Sequence, residues 1–212
     1  WARAATVFAG PAFNFVLSFL VFAVLIMVRG VTADPITVDD VMNSRMIADP
    51  LRLLDCSLVS DGGSAVVLTS AERAKDFPHN PVYILGAGEG HSHEHISQAH
   101  DLTTSAAKEA GERAYAMAGL GAQDMHFAQL YDCFTYSVIV QLEDYGFCAK
   151  GEGGAFISDR RSYIGGDVAV NVDGGLKAKG HPIGATGVSM AYEIVRQLRG
   201  ECGERQVPDA DV

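Results

Sequence analysis

Asn171-Val172-Asp173-Gly174-Gly175-Leu176-Lys177-Ala178-Lys179-Gly180-His181-Pro182-Ile183-Gly184-Ala185-Thr186-Gly187 joins a short apolar run, residues 168–172, to a longer amphipathic one, residues 184–198. The first run is β-branched and reads as a buried strand. In the second, Val188, Ala191, Ile194, Val195 and Leu198 share one face at helical spacing. A strand that passes through a glycine-rich turn into a helix exposes free backbone N–H groups at the positive end of the helix dipole, where developing negative charge is favoured. Its glycines let a substrate approach the backbone closely. His181 lies in that field, where an imidazole serves as general base toward a thiol or donates to a thioester oxygen becoming an oxyanion. On these grounds alone, a merely hydrogen-bonded loop histidine is an equal reading.

Upstream, the same alternation recurs. Residues 64–69 (SAVVLT), entered through Ser60-Asp61-Gly62-Gly63, read as a buried strand, residues 81–86 as a second and residues 126–130 as a third. Helices are expected over 71–75, over 102–117 behind Thr103, Thr104 and Ser105, and over 137–145 closed by Gly146. Strands alternating with helices predict an α/β layered fold. The third strand ends at Tyr131-Asp132-Cys133-Phe134, and a cysteine at a strand end is by itself most simply a small buried hydrophobe.

Taken together these stretches resemble one family. Gly180 to Gly187, with the preceding Asn-x-Asp-Gly-Gly, resembles the Gly-His-Pro segment of the thiolase superfamily. Tyr131-Asp132-Cys133-Phe134 falls where other thiolases carry Asn-Glu-x-Phe and the sterol-carrier-protein type carries His-Asp-Cys-Phe, in the order and spacing of the latter. Residues 55–65 resemble the loop and strand that close the first thiolase half. The resemblance covers residues 39–212 and implies a thiolase-like layered α/β fold incomplete at both ends. Residues 35–80 would be the tail of the N-terminal half, and 81–212 a truncated C-terminal domain.

The function so implied is that of an acetyl-CoA acetyltransferase-like acyltransferase, forming or cleaving a carbon–carbon bond beside an acyl-CoA thioester. By the resemblance, His181 activates the nucleophilic cysteine and helps hold the oxyanion, and Cys133 shuttles a proton. Tyr131 departs from the pattern: a phenol stands where His or Asn helps define the oxyanion hole, with packing as its competing role. Ser57 falls near pantetheine, and Gly180 and Gly184 are the candidate substrate-binding glycines. Coenzyme A thioester would be a substrate rather than a bound cofactor, no metal is needed, and the complete protein would be a homodimer. The front of the first half, which supplies the nucleophilic cysteine, is not in this sequence, so the fragment alone is expected to be inactive.

Composition sets the outer limits. The formal charge of −10 and the absence of a basic cluster exclude a nucleic-acid surface, which must displace counterions from phosphates. Cys56, Cys133, Cys148 and Cys202 form no Cys-x-x-Cys pair and suit a reducing compartment. His91-Ser92-His93-Glu94-His95 has the wrong spacing for a zinc-protease helix and reads as a solvated loop. Lys177 and Lys179 read as solvated side chains or phosphate contacts.

Residues 7–28 carry no charge and are long enough to cross a membrane as a helix. Their Gly10-Pro11-Ala12-Phe13-Asn14 resembles an element of site-2 intramembrane metalloproteases, over residues 1–34 only and without the metal ligands. A chain starting at Trp1 and stopping at Val212 is expected to be a fragment, and the junction at Asp34-Pro35 to be chimeric. If the helix is genuine the protein sits at the membrane, and otherwise in the cytoplasm. The alternative of another class is a membrane-tethered, non-catalytic lipid-binding or scaffold protein of thiolase fold.

Overall fold

The computed structural model describes residues 36–212. The chain divides into two compact units, with the boundary between Asn43 and Ser44. Of the first unit, the described part is helix α1 (Val38–Asn43), started by a reciprocal cap. Thr37 N–H donates to the Asp40 carboxylate (2.8 Å), and Asp40 N–H donates to the Thr37 hydroxyl (3.2 Å). The membrane helix expected at residues 7–28, and its protease-like element, lie outside the described residues. Among the described residues, no helix is long and apolar enough to cross a membrane.

The second unit begins with a hairpin, β1 (Met46–Ala48) against β2 (Leu51–Arg52). Helix α2 (Ala71–Ala74) and the longer α3 (Ala107–Ala118) follow. Its centre is a parallel pair, β3 (Phe127–Ala128) and β4 (Ala169–Val170), in the register Phe127 to Ala169 and Ala128 to Val170. The crossover between them holds α4 (Thr135–Asp144) and α5 (Gly153–Ser158). After β4 come α6 (Gly175–Lys179) and α7 (Thr186–Leu198).

Period-two alternation sorts the strand side chains to two cores. Ala128, Leu130, Val168 and Val170 pack with Leu142 and Phe156 of the crossover helices. Phe127 and Ala169 face the other way, onto Val207, Ile194 and Leu198. Each face of the pair is therefore covered by helix, the arrangement a parallel pair requires.

The strands expected at 64–69 and 81–86 form no ladder among the described residues. Their apolar side chains stand out, with Val67 85% and Ile84 73% exposed. Their composition suits a pleated strand, but a ladder also requires a neighbouring strand's N–H and C=O groups. The second segment instead lays its glycines on helix α3. A Cβ on Gly86, Gly88 or Gly90 would come within 2.6 Å of the carbonyl oxygens of Ala114, Ala110 and Ala106 respectively. Helix α3 itself starts at Ala107 rather than 102, because the expected capping residues Thr104 and Ser105 are bound to Asp144 (3.0, 2.7 and 2.8 Å).

Candidate active site

The site forms where β3 and β4 end. Past β3, Leu130 and Tyr131 are each clamped by an amide side chain. Asn171, at φ 48°, accepts from Leu130 N–H (2.8 Å) and donates to its carbonyl (2.9 Å). Gln141, on helix α4, does the same for Tyr131, accepting from its N–H at 3.0 Å and donating to its carbonyl at 2.7 Å. Each amide stands in for one rung of a strand ladder, so the chain is held extended beyond its last backbone pair.

Asp132 is buried, and its carboxylate accepts the N–H groups of Leu176 (2.9 Å) and Lys177 (3.4 Å) at the start of α6. Gly175 is at φ 60°, and a Cβ there would meet that carboxylate at 2.3 Å. Asp132 therefore caps a helix 43 positions downstream and ties the Tyr-Asp-Cys-Phe segment to the Asp-Gly-Gly turn.

A third strand of chain runs across both. Cys56 bridges Phe134, and Val59 bridges His181. Ser57 N–H donates to the Cys133 carbonyl (2.8 Å), and His181 N–H donates to the Leu58 carbonyl and the Ser60 hydroxyl, both at 3.2 Å. Asp55 accepts from the Thr135 hydroxyl (2.9 Å), and the Lys177 ammonium donates to the Leu54 carbonyl. The segment read as the tail of an earlier half is thus woven into the site.

These frames converge on His181. Its Nε2 lies 2.7 Å from the Tyr131 hydroxyl, and its Nδ1 lies 3.1 Å from Ser57 Oγ. The two rings meet edge to face, with centroids 5.4 Å apart. Burial pushes the Tyr131 phenol above its ordinary pKa, and the neighbouring Cys133 and Asp132 add to the effect. Tyr131 is therefore a neutral O–H donor near neutral pH. The Ser57 hydroxyl both donates and accepts, so either imidazole tautomer is satisfied and a proton can pass between Nε2 and the phenol.

The other expected residues separate. Cys133 is half-buried, with its Sγ 3.6 Å from the Ser137 hydroxyl. Gly180, at φ 104°, is pressed against Ser60 Oγ, which a Cβ would meet at 2.6 Å. Gly184 is at φ 82° and has open space beside it. Lys177 is half-buried, with its ammonium made less basic by that burial, and Lys179 is paired with Asp173. Sequence reasoning missed Asn171, Gln141 and Asp132 as holders of the site. The signal for Asp132 was its place between Tyr131 and Cys133; nothing local marks Gln141. Among the described residues, no group of His, Cys, Asp or Glu is placed to hold a metal ion. In the polar loop, His91 is paired with Glu89.

A cavity of about 260 Å³ opens beside Tyr131, with Ile96, Leu102, Tyr136 and Val140 in its walls.

The chain is similar to several known proteins over most of its length. The acetyl-CoA acetyltransferase of Methanothermobacter thermautotrophicus is 46% identical over 178 residues, covering 84% of this chain and 46% of that protein. The steroid side-chain-cleaving aldolase of Thermomonospora curvata is 42% identical over 171 residues, covering 76% of this chain and 43% of that one. Rabbit (Oryctolagus cuniculus) sterol carrier protein 2 is 38% identical over 182 residues, 83% of this chain and 33% of the relative. The chain thus spans less than half the length of these curated relatives. A solved structure, described as an Ltp2-ChsH2(DUF35) aldolase, superposes with a TM-score of 0.74 at 36% identity, over 84% of this chain and 47% of its own. Residues 88–212 match the thiolase C-terminal domain-like family, which carries both the Tyr131 segment and the His181 turn, and the chain belongs to the thiolase superfamily through it.

Proposed function

We propose that this chain is the C-terminal part of an enzyme that makes or breaks a carbon–carbon bond beside an acyl-CoA thioester. Residues 35–80 would complete the preceding half, and residues 81–212 would form the C-terminal domain. The observation that carries this reading is the contact between His181 Nε2 and the Tyr131 hydroxyl, steadied by Ser57 on the other ring nitrogen. A positioned imidazole and phenol supply a base and an acid within one proton transfer of each other. The open side of Gly184 leaves room for a thioester to approach the turn.

Two reactions use that pair. In acyl transfer, His181 takes the thiol proton of a cysteine from the other half and the thiolate attacks the thioester carbonyl, with His181 and Tyr131 donating to the oxyanion; the carbon–sulfur bond breaks and coenzyme A leaves as the thiol, and Cys133 removes the α-proton of a second acyl-CoA, whose α-carbon takes the acyl group and frees the cysteine, thiolysis being the reverse. In a retro-aldol cleavage, the base removes the β-hydroxyl proton, the bond between the α- and β-carbons breaks, and a proton is returned to the α-carbon. The products are a carbonyl compound and a shorter acyl-CoA. Tyr131 favours the second reading, since its phenol can return that proton and no thiol nucleophile is needed. Relatives named as a steroid side-chain-cleaving aldolase and as a 17-hydroxy-3-oxo-4-pregnene-20-carboxyl-CoA lyase support it. In both readings coenzyme A is carried by the substrate and the assembled protein is a homodimer; in the first, the 212-residue chain alone is inactive because the nucleophilic cysteine lies in the other half.

Assay of the protein completed with its N-terminal half separates them. Thiolysis consumes free coenzyme A with a 3-ketoacyl-CoA, whereas cleavage of a 3-hydroxyacyl-CoA releases a carbonyl compound without consuming it. In the active reaction, His181→Ala is expected to lower kcat by about 10²–10⁴-fold. Equal rates for His181→Ala and the parent would overturn catalysis and leave the non-catalytic scaffold reading.

A further inference from the structure

The cavity beside Tyr131 has two unlike walls. One is helix α4, which contributes Tyr136 and Val140; the other is the segment 96–105, which contributes Ile96 and Leu102. The second wall has only the short turn Ile96–Gln98 as regular structure, and Leu102 is 58% exposed. Such a segment keeps its place only if something outside it fixes it.

Asp144, at the end of helix α4, does so. Its side chain is 1% exposed. Its carboxylate accepts from Ser105 N–H (2.7 Å), the Ser105 hydroxyl (2.8 Å), the Thr104 hydroxyl (3.0 Å) and the Lys150 ammonium (2.7 Å). Four donors saturate the carboxylate, so a buried charge is held in one geometry. Lys150 is held in turn by Glu143 (3.3 Å), whose other oxygen accepts Gly153 N–H (3.1 Å). The node thus ties the 104–105 corner to both crossover helices. Asp144 is not part of the cavity wall.

We infer that Asp144 is a positioning residue that sets the width of the cavity beside Tyr131, and that the cavity takes the apolar acyl group of the thioester. This rests on the function proposed above. Tyr131 lies in the cavity wall and against His181, so an acyl group seated there places its thioester end at the pair. Burying each added methylene between Ile96, Leu102 and Val140 tightens binding by up to about fourfold. Releasing Thr104 and Ser105 lets that wall drift, which removes the gain per methylene and spares contacts made by coenzyme A itself.

The test is the affinity of the protein completed with its N-terminal half for coenzyme A, acetyl-CoA, butyryl-CoA and hexanoyl-CoA, measured by calorimetry. Two variants are compared with the parent: Asp144→Asn and Asp144→Glu. The second keeps a carboxylate beside Lys150 but displaces it from Thr104 and Ser105, and keeps the test open if the first does not fold. The expected result is tighter binding with chain length in the parent, loss of at least half of that gain per methylene in the variants, and acetyl-CoA affinity within about twofold of the parent. A purely structural node would lower the melting temperature and leave the chain-length dependence unchanged, which overturns the inference. A parent that binds all four ligands equally overturns the assignment of the cavity while leaving the proposed function standing. A parent that binds none of them overturns the proposed function, and the inference with it.

Discussion

At His181 the protein uses neighbours rather than burial to define an imidazole. Ser57 and Tyr131 occupy its two ring nitrogens, and neither contact would hold if the two backbones drifted apart. Gln141 fixes the backbone of Tyr131, and Asp132 fixes the Asp-Gly-Gly turn that leads to His181. Gly175 is where this arrangement is least tolerant of change. An alanine there adopts a left-handed φ of 60° and drives its Cβ into the Asp132 carboxylate. Gly175→Ala is expected to destabilise by about 2–4 kcal/mol, the sum of backbone strain and a displaced buried charge. Gly154, inside helix α5 with nothing within 4 Å of a built Cβ, is the control. Gly154→Ala is expected to stabilise by about 0.5–1 kcal/mol. Urea unfolding of the two variants checks the contrast, and comparable midpoints would show that the Asp132 cap does not constrain position 175.

At the scale of elements, the helices α4 and α7 were legible, because an amphipathic period and a closing glycine are local signals. The residues 126–130 and 168–172 were legible as strands because short apolar runs before a turn are also local signals, although only two residues of each form a ladder. Helix α5 was not foreseen, and Gly153 in its first turn lets it approach Ile139 and Glu143 of helix α4. Residues 81–86 were read as a strand and form no ladder, since no sequence period reports whether a neighbour is present. In the candidate site, His181, Tyr131 and Cys133 were legible from their motifs. The partners Gln141 and Asp132 were not, because what they hold lies ten or more residues away. The glycines at 86, 88 and 90 carried information that is clear only against helix α3. Extended backbone rises about 6.6 Å over two residues and a helix about 6 Å over four, so alternate glycines meet every fourth helix residue. Gly88 sits at the middle of that contact, and its built Cβ falls 1.9 Å from the Ala110 carbonyl oxygen. Gly88→Ala is expected to pry the segment off helix α3 at a cost of about 2–3 kcal/mol. Hydrogen exchange should then show faster exchange across Ala107–Ala118, with α7 unchanged; unaltered protection of that helix would mean that the glycine contact contributes nothing to it.

For the molecule as a whole, stability should depend on acidity through two buried carboxylates on opposite sides of the central strands. Burial alone would raise the pKa of Asp144, but the Lys150 ammonium and the donors from Ser105 and Thr104 outweigh it and hold the group below its ordinary value. Burial likewise opposes ionisation of Glu193, and it is outweighed by the Arg205 guanidinium, Gln197 and the Cys202 thiol. A carboxylate whose folded pKa lies below its unfolded one binds more protons when unfolded. Its contribution is therefore complete above the unfolded values of about 3.9 for Asp and 4.3 for Glu, and disappears as pH falls through the folded value. Lys150 has the opposite sign. Burial would lower its pKa, but Asp144 and Glu143 raise it above 10.5, so its contribution is present at neutral pH and is lost only as pH rises through that folded value. The urea midpoint is accordingly expected to be flat from pH 8 to about pH 5 and to fall steeply below it. Asp144→Asn and Glu193→Gln should each be less stable than the parent at pH 7 and should show a shallower fall between about pH 5 and 3, because the proton each parent carboxylate resists is no longer taken up. Parallel curves for parent and both variants would place the acid sensitivity elsewhere in a chain of formal charge −10, where protonation of many surface carboxylates would have to account for it.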